Sequence, residues 1–123
     1  MDQCGKNCLQ NLQDLGMRKM AVAWVTYPEE QQAAKTAHCL VEKGLAAGVN
    51  ILGPMTSVYR WKGEERTHNE WLLLAQLPED LFAEFRAEIS SCHPYETPCI
   101  LLLPVQDVNL PFLQWVNTNC REK

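Results

Sequence analysis

Continuously apolar stretches alternate with amphipathic runs along the chain. Met20 to Thr26 is an apolar run around Val22, Trp24 and Val25, which predicts a strand buried on both faces. Thr26-Tyr27-Pro28-Glu29 predicts a helix start, with Thr26 as cap, Pro28 in the first turn and Glu29 at the capping-box position. Ala33, Ala37, Leu40, Val41 and Leu45 then recur at helical spacing, and Gly44 marks the helix end. Val49 to Leu52 reads as a short strand, interrupted by Gly53-Pro54 and resumed from Met55 to Trp61. Lys62-Gly63 is a tight-turn signal, and the return run reaches Leu77 through Trp71-Leu72-Leu73-Leu74-Ala75. The two runs form one long, bent hairpin.

Pro78-Glu79-Asp80 opens a second helix, with Leu81, Phe82, Phe85 and Ile89 as its apolar stripe and acids favourably placed at its N-terminus. Ile100 to Leu103 is a further strand. Asn109-Leu110-Pro111 starts a last helix, with Phe112, Leu113 and Val116 facing inward. The order is strand, helix, strand, strand, helix, strand, plus a C-terminal helix. This is an α+β, ferredoxin-like split βαβ arrangement (βαββαβ). Both main helices then cover one sheet face, and the other needs a cover from elsewhere. So much uncovered apolar surface points to self-association. Residues 1–19 are polar with scattered leucines and read as a flexible extension; residues 20–120 form the domain.

Bulk composition narrows the function classes. The chain has 123 residues, enough for one domain with one core. A net charge of −4 gives no general attraction for nucleic acid or anionic lipid. No apolar stretch is long enough to span a bilayer, and the first residues lack the apolar core of a signal peptide, so the expected compartment is the cytoplasm. Free thiols are then the expectation for the six cysteines. Cys39, Cys92 and Cys99 read as small core residues, while Cys4, Cys8 and Cys120 lie near polar ends. Cys4 and Cys8 lack a second ligand pair at zinc-finger spacing.

The most distinctive stretch is Cys92-His93-Pro94-Tyr95-Glu96-Thr97-Pro98. Pro94 and Pro98 stiffen it and bias the residues before them away from helix. A rigid connector between a helix and a buried strand holds His93, Tyr95 and Glu96 in fixed directions. Glu70 and His93 have the donor types for a divalent metal, but two ligands make a loose site. The alternative is that Glu70 pairs across a subunit boundary and His93 bonds to backbone. Tyr59, Trp61, Tyr95 and Glu96 suit either a small-molecule groove or packing between subunits. His38 reads as a surface or partly buried residue of the first helix, and His68 as solvated. Cys92 beside His93 has no third orienting group, and no Gly-rich phosphate loop is present, so enzymatic activity is not expected.

The chain resembles the CutA family of divalent-cation-tolerance proteins. The matching residues are Val25-Thr26-Tyr27-Pro28-Glu29, Glu42-Lys43-Gly44-Leu45-Ala46-Ala47-Gly48-Val49-Asn50, Thr56-Ser57-Val58-Tyr59-Arg60-Trp61-Lys62-Gly63, Glu70, and His93-Pro94-Tyr95-Glu96-Thr97-Pro98. Leu103-Pro104-Val105 and Phe112-Leu113-Gln114-Trp115-Val116 also fit, and the ending is closest in character to the animal members. The resemblance implies a non-enzymatic homotrimer related in architecture to the PII signalling proteins. It implies a link to copper and other divalent metals; the expected function is a scaffold or adaptor that binds such metal weakly and needs no cofactor. It also implies, for animal members, a link to acetylcholinesterase anchoring. A PII-like regulator sensing a small molecule in its inter-subunit groove is the alternative. The chain departs from the family pattern at Val25 and Gly48, where the family often has Cys, and at Gln76 and Leu77. Without a thiol at Val25, the copper expectation rests on His93 and Glu70.

Overall fold

The computed structural model describes residues 16–123. The elements are β1 (Met20–Tyr27), α1 (Glu30–Glu42), β2 (Gly48–Trp61), β3 (Glu64–Pro78), a 3-10 turn (Glu79–Leu81) leading into α2 (Phe82–Ser90), β4 (Ile100–Pro104) and α3 (Leu110–Thr118). The strands form one antiparallel sheet in the order β2-β3-β1-β4. That order is the expected ferredoxin-like split βαβ arrangement. Among the described residues, no helix is long and apolar enough to cross a membrane.

β1 is central, but its two faces differ. Ala21, Ala23, Val25 and Tyr27 are essentially inaccessible, whereas Val22 and Trp24 on the other face are only half-buried. The expectation of burial on both faces is therefore met on one side of the sheet. Leu73, Ala75 and Leu77 of β3 join that inner face. Ala33 and Leu40 of α1, Phe85 and Ile89 of α2, and Leu113 and Val116 of α3 close over it. Small residues on β1 and β3 let the helices approach closely; the branched and aromatic residues fill the remaining space.

Two local expectations are corrected. Thr26 does not cap α1: it lies in β1, paired with Leu72, and the residue before the helix is Glu29 in extended geometry, with no side-chain cap. Pro28 accounts for the shift, because it biases Tyr27 to extended backbone and prolongs β1. Cysteine burial is also partly reversed. Cys92 is exposed at the end of α2, whereas Cys120, near the polar C-terminus, is buried. The C-terminal segment docks on the core, with the Arg121 amide donating to the Gly44 carbonyl at 2.9 Å. Cys4 and Cys8, and the extension up to residue 15, lie outside the described residues.

The long hairpin is present as expected. Lys62 and Gly63 both have positive φ, 52° and 81°, the geometry of a two-residue turn between twisted strands. The β2–β3 register shifts between Leu52 and Met55, at Gly53-Pro54. A Cβ on Gly53 would meet the Trp71 ring at 2.5 Å, so the strand needs glycine there to cross the indole. β1 pairs β3 only as far as Tyr27 with Trp71. Beyond that point, Met55–Trp61 and Glu64–Glu70 pair with each other and extend as an arm.

Candidate functional site

The arm and the His-Pro-Tyr-Glu-Thr-Pro connector face each other across a cleft of about 530 Å³. Tyr59, Trp61, Arg66, His68 and Glu70 line it from the arm, and Pro94, Tyr95, Glu96, Thr97 and Cys99 from the connector. Alternation along the strands explains the arm's contribution. Tyr59 and Trp61 are two apart on β2; Arg66, His68 and Glu70 are two apart on β3, so each set shares a face. Tyr59 is paired in register with Arg66, and its hydroxyl lies 2.6 Å from His68 Nδ1.

The connector is held by His93. Its Nε2 lies 2.8 Å from the Thr26 carbonyl, to which it donates. Its Nδ1 accepts from the Tyr95 amide at 3.1 Å. Those two bonds fix a neutral imidazole with a defined tautomer. The ring also packs against Tyr27 at 4.4 Å and Tyr95 at 5.1 Å between centroids. Burial lowers the His93 pKa from its usual value, although the Thr26 carbonyl and the Glu70 charge favour the protonated form.

Tyr95 spans the distance from His93 to Glu70. Its amide bonds the imidazole, and its hydroxyl donates to Glu70 Oε2 at 2.6 Å. Burial, and then the Glu70 bond and charge, raise the Tyr95 pKa well above the ordinary phenol value. Tyr95 therefore remains a protonated donor at physiological pH. Glu70 is only 7% exposed. His93 and Glu70 are thus linked through one tyrosine, and both imidazole nitrogens are engaged. Among the described residues, no three His, Cys, Asp or Glu side chains are gathered at metal-binding distances.

Tyr59, Trp61, Tyr95 and Glu96 come together on the cleft. Sequence reasoning missed the involvement of His68, Arg66 and Cys99. The period-two spacing of Arg66, His68 and Glu70 carried the signal for the first two. Burial raises the Cys99 pKa above the ordinary thiol range, which keeps it a poor nucleophile at neutral pH. His38 is exposed on α1, as expected.

The fold and cleft define a class: a ferredoxin-like α+β domain with an aromatic, carboxylate-bearing groove beside a projecting hairpin. The chain belongs to the CutA1 divalent ion tolerance protein family, matched over residues 21–119. Human Protein CutA is 39% identical over 97 residues, covering 79% of this chain and 54% of the human protein. The Thermus thermophilus divalent-cation tolerance protein CutA is 39% identical over 98 residues, covering 80% of this chain and 95% of its own. The crystal structure of CutA1 from Oryza sativa superposes with a TM-score of 0.84 at 31% identity, covering 87% of this chain and 98% of the rice chain. The chain spans about half the length of the mammalian relatives it matches.

Proposed function

We propose that the chain is a non-enzymatic subunit of a homotrimer, acting as a scaffold in divalent-metal tolerance. The observation that carries this reading is the uncovered sheet face. The register places Trp24 between Leu74 and Leu101, and Val22 between Gln76 and Leu103. Leu101 and Leu103 are 48% and 40% exposed, and Leu52, on the same face, is 51% exposed. A contiguous apolar sheet face of this kind is normally an interface. Among the described residues, β2 and β4 are unpaired at their outer edges, which a closed ring of identical subunits would pair or cover. The deciding experiment is equilibrium sedimentation of wild type and Leu101→Asp. The wild type is expected at three chains per particle. The variant, altered at an exposed position, is expected as a folded monomer.

Metal binding in this reading is weak and centred on His93 and Glu70. A metal at His93 has to replace either the Thr26 or the Tyr95 hydrogen bond, and one at Glu70 competes with the Tyr95 hydroxyl. Val25 is fully buried in the core and offers no donor. Copper titration is expected to give an affinity well short of nanomolar, reduced further by His93→Ala. Nanomolar affinity abolished by His93→Ala would contradict this.

The cleft supports a second reading, a regulator that senses a small molecule. Its volume lies within the range of ligand pockets, and a few polar groups converge among aromatic walls. A saturable thermal shift with a small molecule, lost on Trp61→Ala, is the expected outcome.

A further inference from the structure

We propose that the cleft between the β2–β3 arm and the Pro94–Cys99 connector binds a small organic ammonium ion, with Glu70 as counter-charge and aromatic rings as walls. This proposal rests on the ligand-sensing reading and names the ligand class.

Glu70 is the nearly buried acid of the cleft. The carboxylate is 7% exposed, and the side-chain bond it receives among the described residues comes from the neutral Tyr95 hydroxyl. No described Lys or Arg forms an ion pair with it. A nearly buried carboxylate held by one neutral side-chain donor offers a fixed counter-charge, and a cation entering the cleft adds a charge-assisted hydrogen bond to it. Arg66, on the same wall, forms an exposed ion pair with Glu64 at 3.2 Å. Glu96 adds a second acid at the rim. Glu70 and Glu96 together outweigh Arg66 in the lining, a balance that favours cations over anions.

The walls select the kind of cation. Tyr59, Trp61 and Tyr95 present aromatic surface to the same space, and an ammonium is attracted to such faces. The Tyr59–His68 bond and the Tyr95–Glu70 bond tie two of those side chains in place, which reduces the ordering cost of binding. A metal ion needs several convergent donors, and His93 has both ring nitrogens committed. An alkylammonium needs one carboxylate and an apolar wall, which the cleft already provides.

The test uses the full chain and three matched probes: phenethylamine, charged at neutral pH; 2-phenylethanol, neutral; and 3-phenylpropionate, anionic. Calorimetry is read alongside tryptophan fluorescence. Saturable binding of phenethylamine is expected, about tenfold or more tighter than the alcohol, equivalent to about 1.4 kcal/mol. The propionate is expected not to saturate. Glu70→Gln keeps an acceptor for Tyr95 and removes the charge, and it should abolish the preference for the amine. Glu96→Gln, at the exposed rim, should weaken the amine by about two- to fivefold and leave the alcohol unchanged. If Glu70→Gln does not fold, the wild-type contrast and the Glu96 variant still decide. Equal affinity for amine and alcohol would overturn the cation assignment and leave a ligand cleft standing. Failure of all three probes to saturate would overturn both readings.

Discussion

Tyr95 ties the connector to β3 through its hydroxyl and holds His93 through its amide. Its amide fixes the His93 tautomer, and its hydroxyl is the side-chain donor to a buried carboxylate on β3. Tyr95→Phe leaves Glu70 without that bond while keeping the ring. Stability is expected to fall by about 1–3 kcal/mol, measured by denaturant unfolding, because a buried acceptor loses its donor. The neighbouring His93 gives a pH effect of definite sign. Its folded pKa lies below the unfolded value, so the unfolded chain binds the proton more readily. The contribution is fully present above the unfolded value of about 6.5 and is lost as pH falls through the folded pKa. His93→Gln is therefore expected to flatten the loss of stability on acidification below about pH 6.5, read from melting curves across the pH range. Gly48 also has a local reason for its size. A Cβ there would lie 2.9 Å from the Gln76 amide oxygen and 3.1 Å from the Trp115 ring. Trp115 occupies the space that a cysteine at this position would use.

At the scale of elements, the arm is the feature that makes the cleft. Gly53 lets β2 cross the face of Trp71 before the strands continue beyond β1. Gly53→Ala is expected to cost about 1–3 kcal/mol by overpacking against the indole, measured by chemical unfolding. The elements themselves were legible in the sequence, because each has its own period and punctuation. The apolar run at Leu72 to Ala75, the Lys62-Gly63 turn and the stripe from Leu81 to Ile89 all match the observed spans. The helix start was misplaced because Thr26 suits a cap by composition, while Pro28 sets the backbone before it. Four groove residues were legible from their chemistry. The linkage through Tyr95 was not, because it depends on bringing β1, β3 and the connector together across 25 and 67 residues of chain. Cys120 was misread for a similar reason: polar neighbours in sequence hide a docked C-terminal segment.

The whole molecule is shaped by the unequal faces of its sheet. One face is sealed by helices, and the other carries Trp24, Leu74, Leu101 and Leu103 with partial exposure. In the proposed trimer, covering that face with further copies couples folding to assembly, so the melting temperature is expected to rise with protein concentration. Differential scanning calorimetry over a hundredfold concentration range checks this; a concentration-independent melt would contradict it. The most direct measurement of the central claim is native mass spectrometry of untagged wild-type protein at micromolar concentration. A single species with the mass of three chains is predicted. A stable monomer under the same conditions would contradict the account.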